Sequence, residues 1–343
     1  MGIACEKETM GRYIARRLLW LLVVIFSVSV ITFVIAHAVP GGPFSREKKL
    51  PPAVLKQLNE KYRLDDPLWK QYVEYMGGIF IPRLTSGEPS TSYLEDYLIN
   101  IPLGEYTLRW MNFGPSYKSQ SRTVNDVFRE NLPVSAELGF YAFLVASVIG
   151  IPLGIVAALK QNTWVDYIAM GIAIFGVSVP VIVLGPVLIW LFAIRLPIFL
   201  PSGWGSWRAE VLPSIALGLG SSAIIARLTR ASLLQVIRED YIRTARAKGL
   251  MERVVIIRHA LRNSLIPVVT VMGPIFAFLV TGTFVTETIF GVPGMGRYFV
   301  TSITNRDYPV IMGTILLFAV VIVIANLIVD LLYAWLDPRI RYD

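Results

Sequence analysis

Six long apolar segments recur along the chain, separated by polar stretches of unequal length. A helix needs roughly 20 apolar residues to cross the about 30 Å hydrocarbon core of a bilayer. The fourth segment is the shortest and is rich in glycine, but it leads directly into a basic loop, as a helix ending in the cytoplasm does. The pattern predicts an all-α, polytopic membrane protein with six transmembrane helices, at 18–39, 138–159, 168–194, 211–226, 265–286 and 310–336.

The distribution of basic residues predicts the orientation of these helices. Arg12, Arg16 and Arg17 precede the first span, and residues 227–262 hold nine Arg and Lys against three acids. Segment 287–307 carries two positive and two negative charges. Because cytoplasmic loops are enriched in Lys and Arg, residues 1–17 are predicted to be a cytoplasmic N-terminus. With six spans, both termini of this plasma-membrane protein are predicted to be cytoplasmic.

The N-terminal leader leaves the start of translation open between Met1 and Met10, since a basic stretch follows Met10. The first apolar run is longer than a signal-peptide core and has no clear cleavage site after it, so a retained helix is expected.

The longest polar segment, residues 40–131, is predicted to be an extracytoplasmic insertion. Pro52 and Pro67 mark the starts of two short helices, because proline suits the first turn of a helix. Residues 123–131 predict an amphipathic helix that approaches the membrane, while 79–110 show weak periodicity and many turn residues. The remaining chain, 132–343, is predicted to form a core with five spans and a cytoplasmic loop at 227–262.

That cytoplasmic loop predicts two short helices separated at Gly249. Leu250, Val254, Ile257 and Leu261 fall on one face of the second helix. Composition alone is equally typical of a basic helix lying on anionic lipid.

The loop also carries a motif, Asp-Tyr-Ile-Arg-Thr-Ala-Arg-Ala-Lys-Gly at 240–249. It resembles the cytoplasmic signature of ABC importer permeases in its dipeptide and oligopeptide branch, with Arg243, Thr244 and Ala245 at the positions of the glutamate-alanine-alanine pattern. The motifs look closest in form to those of the B subunits of oligopeptide permeases. Relative to these subunits, residues 79–110 look like an insertion. The resemblance continues at 38–44, 112–117, 123–126, 132–138, 291–296 and 306–309.

The resemblance implies a type I ABC importer permease fold and a subunit that forms half of a path for oligopeptides or dipeptides. The implied partners are a second homologous permease, two ABC ATPase subunits and an extracytoplasmic solute-binding protein, besides membrane lipid. Related systems import nickel, opines or oligosaccharides, so the solute stays open. The residues implied to couple transport to the ATPases are Asp240, Tyr241, Arg243, Thr244, Ala245, Ala247, Lys248 and Gly249.

A second candidate site is the glycine-rich segment 290–307, which is predicted to be an outer gate or re-entrant element. The candidate residues for gating or for contact with a binding protein are Gly291, Pro293, Gly294 and Gly296 in this segment and Tyr308 directly after it. Tyrosine is also common at membrane interfaces without such a role.

Glycine and proline within the spans favour close helix packing. Gly150 and Gly154 lie four residues apart on one helix face, as a close helix crossing requires. Pro180, Pro186, Pro267 and Pro274 are candidate hinges, although proline is generally tolerated in membrane helices.

Composition excludes several classes of protein. The chain of 343 residues is 55% hydrophobic and 16% charged, which argues against a soluble enzyme. Cys5 is the one cysteine, and His37 and His259 are the only histidines, so neither a disulfide scaffold nor a multi-histidine metal site is expected. The net charge of +8 comes without a nucleic-acid-binding motif, so no nucleic acid is expected as a partner.

No catalytic residues and no cofactor are predicted. The sequence has no Gly-x-x-x-x-Gly-Lys-Ser/Thr loop, so ATP hydrolysis is expected on partner subunits. An autonomous secondary carrier and a membrane enzyme are the alternatives; a proton-coupled carrier needs acids deep within its spans. Whether Glu287 and His37 face the translocation path stays open. A location at the membrane interface explains Glu137, Asp166, Arg195 and Asp330.

Overall fold

The computed structural model describes residues 10–44, 51–86, 96–119, 121–281 and 283–336. The helices are α1 (Met10–Ala38), α2 (Pro52–Lys61), α3 (Leu68–Phe80), α4 (Val124–Leu159), α5 (Trp164–Ser178), α6 (Val181–Leu188), α7 (Trp207–Val236), α8 (Asp240–Ala247), α9 (Glu252–Val254), α10 (Leu261–Ser264), α11 (Ile266–Val280), α12 (Phe284–Phe290), α13 (Met295–Asn305) and α14 (Tyr308–Leu336). A π-helical segment, Ile189–Arg195, continues α6, and another, Val255–Ala260, joins α9 to α10. The strands are β1 (Arg83–Ser86), β2 (Ile99–Leu103) and β3 (Tyr106–Trp110). Met1, Cys5 and the side chains of Arg12 and Asp330 lie outside the described part of the chain.

Four helices in the described residues are long and apolar enough to cross a membrane, in α1, α4, α7 and α14. Two further spans arise if each of two bent helix pairs crosses once, which gives the predicted total of six. The polytopic helical architecture expected from the sequence is thereby confirmed.

The third predicted span is not a single straight helix. Its two halves, α5 and α6, meet at 104°. Proline disfavours a helical conformation of the residue before it, and Val179, which precedes Pro180, has extended backbone angles (φ −94°, ψ 113°). A second bend, of 52°, separates the α9–α10 segment from α11, which carries Pro267 in its first turn.

The fourth span differs from its prediction in length. Helix α7 has 30 residues, because it begins at Trp207, before the predicted start, and continues through Arg227 and Arg230 to Val236 rather than ending at the first basic residue. The first ten residues of the predicted loop 227–262 are therefore helical.

The chain divides into two compact units. The first contains residues 1–21, 134–293 and 321–343, and the second contains 22–133 and 294–320.

The second unit contains the predicted short helices, as α2 and α3, and a sheet that the sequence did not predict. The three antiparallel strands lie in the order β1-β3-β2, with Leu84, Leu108 and Ile101 in one cross-strand row. Strands of four or five residues are too short to show a clear alternation of polar and apolar positions.

Helix α4 begins at a reciprocal cap. The backbone N–H of Thr123 donates to the Asp126 carboxylate (2.9 Å), and the N–H of Asp126 donates to the Thr123 hydroxyl (3.0 Å). From this cap the helix runs without a break for 36 residues. The predicted amphipathic helix at 123–131 and the second span are thus one helix, which crosses the predicted boundary at 131/132.

In the first unit, α4 packs closely against α7 through glycine. A Cβ atom placed on Gly150 would lie 2.7 Å from the Ser222 carbonyl oxygen, and one on Gly154 would lie 2.5 Å from the Ala226 carbonyl oxygen. The close packing predicted for these two glycines is confirmed.

Gly154→Ala is expected to destabilise the α4–α7 crossing by about 1–3 kcal/mol, because the added methyl meets backbone that cannot move alone. The measurement is the thermal unfolding of the purified protein in detergent. Gly171→Ala is the matched control, since a Cβ atom there would have no neighbour within 4 Å. Equal unfolding temperatures for the two variants would contradict the tight crossing.

Candidate functional site

Helix α8 is anchored to the rest of the first unit by one narrow face. Ile242 and Ala245, three residues apart, are both buried. They pack in an apolar cluster with Leu233 at the end of α7, Ala158 at the end of α4 and Val255 of the following π-helical segment. The eight-residue helix is therefore held by tertiary contacts at its centre rather than by its own hydrogen bonds alone.

The opposite face of α8 is open to solvent. Arg243, Thr244, Ala247 and Lys248 are exposed, and the hydroxyl of Thr244 donates to the backbone carbonyl of Asp240 (3.0 Å). This face carries two cationic side chains, Arg243 and Lys248, and the small side chain of Ala247. A small side chain lets a partner protein approach the helix closely.

Two of the candidate coupling residues, Ala245 and Tyr241, contact elements other than α8. Ala245 belongs to the buried face, so Ala247 is the alanine of α8 at which a partner can approach closely. Tyr241 accepts a hydrogen bond from the Asn263 side chain (2.8 Å), which links α8 to α10, the short helix that precedes α11.

The turn after α8 depends on Gly249, which has φ +77°, and a Cβ atom placed on it would have no neighbour within 4 Å. Glycine occupies this left-handed region without the steric cost that other residues meet. Across the turn, Arg246 donates two hydrogen bonds to Glu252, at 3.1 and 2.7 Å. These bonds lower the pKa of the Glu252 carboxyl. The predicted helix end at Gly249 is thus found.

The second loop helix does not bury the apolar face that the spacing of Leu250, Val254, Ile257 and Leu261 predicts. Val255, Ile256 and Ala260 are buried, whereas Ile257 is exposed and Val254 only half-buried. The π-helical turn holds more residues than an α-helical turn and so rotates the following side chains relative to a 3.6-residue period. The prediction of a single α-helical face is therefore wrong for this segment.

Two residues of the candidate outer gate, Gly291 and Pro293, belong to the first unit. Gly291 ends α12 in the left-handed conformation, with φ +62°. The preceding carbonyl, of Phe290, accepts a hydrogen bond from the N–H of Gly203 (2.9 Å). Both Gly291 and Pro293 are exposed.

Glu287 on α12 does not face an open path in this structure. Its side chain is buried and accepts a hydrogen bond from the Ser135 hydroxyl of α4 (2.8 Å). A buried carboxylate needs such donors to offset its desolvation. Here the acid joins two helices of the first unit.

The second unit contains Gly294, Gly296 and Tyr308, and most of the predicted outer gate or re-entrant element is helical there. Gly294 precedes α13, which occupies eleven residues of the segment. Gly296 and Tyr308 are both buried, and the Tyr308 ring lies 4.5 Å from that of His37. Tyr308 is therefore not a free contact surface for a binding protein in this conformation.

The residue before it, Asp307, joins the start of α14 to the segment at 116–117. Its carboxylate accepts hydrogen bonds from the Ser116 hydroxyl (2.5 Å) and the Tyr117 N–H (3.1 Å). Burial raises the pKa of Asp307, and these hydrogen bonds act in the opposite direction.

Sequence reasoning missed a bidentate ion pair in the first unit. Arg230 on α7 donates to both oxygens of Asp166 at the start of α5, at 2.7 and 2.6 Å. The Asp166 side chain is 3% exposed and also accepts from the N–H of Asn162 (3.0 Å). No local pattern pairs these residues, because they are far apart in the chain and Arg230 was expected in a loop.

Within the described ranges, no group of three His, Cys, Asp or Glu side chains is placed to hold a metal ion.

Known proteins match this chain over nearly its whole length. The family described as "Binding-protein-dependent transport system inner membrane component" matches residues 150–342, and its N-terminal counterpart matches 10–139. The dipeptide transport system permease protein DppB of Bacillus subtilis is 43% identical over 97% of this chain and 98% of its own length. The oligopeptide transport system permease protein OppB of Salmonella typhimurium is 42% identical over 97% of this chain and all of its own length.

Among solved structures, one of the MetNI methionine ABC transporter in inward-facing conformations matches with a TM-score of 0.51. It has 18% identity and covers 62% of this chain and 96% of that chain. This likeness supports the type I importer permease fold. The family matches, the identity to curated permeases and the helical architecture agree with the resemblance found in the sequence. The chain belongs to the inner-membrane permeases of binding-protein-dependent ABC transport systems.

Proposed function

We propose that this chain imports dipeptides or oligopeptides as one of two homologous permease subunits, with α8 as the helix that receives the motion of an ATPase subunit. The peptide substrate is supported by the names of full-length relatives at 42–43% identity. The coupling role is supported chiefly by α8, which is anchored by Ile242 and Ala245 and exposes the opposite face.

The proposed coupling has a physical basis in this anchoring. A force applied to the exposed face of α8 passes through the buried pair to the ends of α4 and α7 and to the π-helical segment. Because packed interiors are poorly compressible, a small displacement of α8 moves these elements together. The Arg246–Glu252 pair and Gly249 hold the turn that leads to the second loop helix.

The proposal includes an orientation. Arg16 and Arg17 at the start of α1 and the basic residues around α8 lie on the cytoplasmic side, with both termini. Residues 40–131 then lie largely outside the cell, and Gly291, Pro293, Gly294, Gly296 and Tyr308 belong to the outer gate. Of these, the exposed Gly291 and Pro293 would contact the solute-binding protein. ATP is hydrolysed on the ATPase subunits.

Deletion of this chain from its native host is expected to abolish uptake of a labelled di- or tripeptide while leaving uptake of a free amino acid unchanged. The reason is that one permease alone cannot close a path built from two. Uptake is measured in whole cells, with the chain restored from a plasmid as the control. Unchanged uptake of all peptides tested, from two to five residues, would reject peptide as the substrate.

A further inference from the structure

Helix α3 carries an apolar face that the described residues leave uncovered. Leu68, Trp69, Val73 and Phe80 fall on one side of the helix at helical spacing. All four are exposed, Trp69 by 70% and Val73 by 57% of its surface. Large apolar side chains grouped in this way mark a surface that contacts something other than water.

The opposite side of α3 is charged and paired. Lys70 contacts Asp66 (Nζ to Oδ2, 2.9 Å), and Glu74 accepts from Arg63 (2.9 Å). A helix with one apolar face containing Trp and one charged face is typical of helices that lie in a membrane interface.

The contacts of α3 place it beside the outer half of the first transmembrane helix. The Tyr72 hydroxyl lies 2.7 Å from the Ser29 hydroxyl of α1, and the Tyr72 ring packs edge-on against Phe33, with 5.3 Å between centroids. The apolar span of α1 covers Leu19–Ala38. At about 1.5 Å per residue, Ser29 lies about 13 Å along the helix from Ala38. Tyr72 therefore reaches the depth of the acyl chains in a core of about 30 Å.

An apolar cleft of about 400 Å³ lies between the two helices. Val30 and Val34 of α1 line one side of it, and Leu68 and Trp69 of α3 line the other. Val34 is itself exposed and continues the apolar surface that α1 presents to the bilayer. The cleft and the exposed face of α3 are thus continuous with a lipid-facing surface.

We propose that α3 is immersed in the outer leaflet and that phospholipid acyl chains cover its apolar face and occupy the cleft against α1. The choice of leaflet rests on the orientation proposed above, whereas immersion rests on the contacts between α1 and α3. Part of the predicted extracytoplasmic insertion is then a membrane element that anchors the outer portion of the subunit.

The test uses the whole transporter in right-side-out membrane vesicles, with Cys5 replaced by serine. A fluorophore is attached at Val73→Cys on the apolar face or, as the matched control, at Glu74→Cys on the charged face. The quenchers are doxyl-labelled phosphatidylcholine in the bilayer and iodide added outside.

The label at position 73 is expected to be quenched by doxyl lipid and protected from iodide, and the label at position 74 to show the reverse. Quenching of both labels by iodide alone would overturn the proposal, because α3 would then lie in water. Protection of position 73 from both quenchers would also overturn it and indicate a protein partner. If iodide from outside fails to reach position 74 while doxyl lipid quenches position 73, only the orientation is wrong.

Discussion

Ala247→Trp is expected to abolish peptide uptake and the recovery of the ATPase subunits with this chain, while the chain itself stays folded and inserted. Ala247 is exposed on α8, so the larger side chain is not forced into the packed interior of the described residues. If an ATPase surface seats against this face, the indole prevents close approach. The measurements are peptide uptake in cells and co-purification of the ATPases in mild detergent.

Ala53→Trp is the control for this prediction. Ala53 is exposed on α2, which like α8 is a short helix, and the substitution is chemically the same. The control variant is expected to retain its ATPases. Normal uptake by the Ala247→Trp variant would contradict the coupling role of α8.

Gly249→Leu tests the same site by a different route. A leucine at φ +77° costs about 1–2 kcal/mol in backbone strain, so the turn that orients α8 is expected to rearrange. The expected result is reduced uptake with normal amounts of the chain in the membrane. Wild-type uptake would show that the orientation of this turn does not matter for coupling.

Arg230→Ala is expected to destabilise the protein by about 3 kcal/mol. It leaves the buried Asp166 carboxylate without its bidentate partner, and breaking a buried ion pair costs about 3–5 kcal/mol. Because the Arg230 side chain is 27% exposed, water offsets part of the loss and the lower end of that range applies. The expected observations are a lower unfolding temperature and less assembled transporter.

Two further variants separate charge from geometry at this pair. Arg230→Lys keeps the charge but loses the two parallel hydrogen bonds, so an intermediate stability is expected. The double variant Asp166→Asn with Arg230→Gln removes both charges and is expected to be more stable than Arg230→Ala. Equal stability of Arg230→Ala and the wild type would show that the pair is not structural.

The sequence predicted those features that depend on local pattern. Hydropathy located the membrane segments, proline positions located the starts of α2 and α3, and Gly249 located the end of α8. The spacing of Gly150 and Gly154 predicted a close helix crossing because only the absence of a Cβ atom permits it. The motif at 240–249 and its companions predicted the family, which the comparisons confirm.

Features that depend on distant contacts were missed. Arg227 and Arg230 were interpreted as the start of a loop, yet α7 continues through both, and Arg230 pairs with Asp166 of another helix. The π-helical turn at Val255–Ala260 changes which side chains are buried, and no periodicity in the sequence indicates it. Tyr308 was expected at a surface and is buried against His37, a contact between segments far apart in the chain.

Cross-linking from α8 in the assembled transporter tests the proposed coupling role most directly. With Cys5 replaced by serine, Ala247→Cys carries the only cysteine of this chain, and a short bifunctional thiol reagent is added to membranes. We expect an adduct with an ATPase subunit, identified by mass spectrometry, and none from Ala53→Cys under the same conditions. The ATPase carries an introduced cysteine on the surface that faces the membrane. If the intact transporter with Ala247→Cys gives no adduct with this ATPase, the coupling role is contradicted.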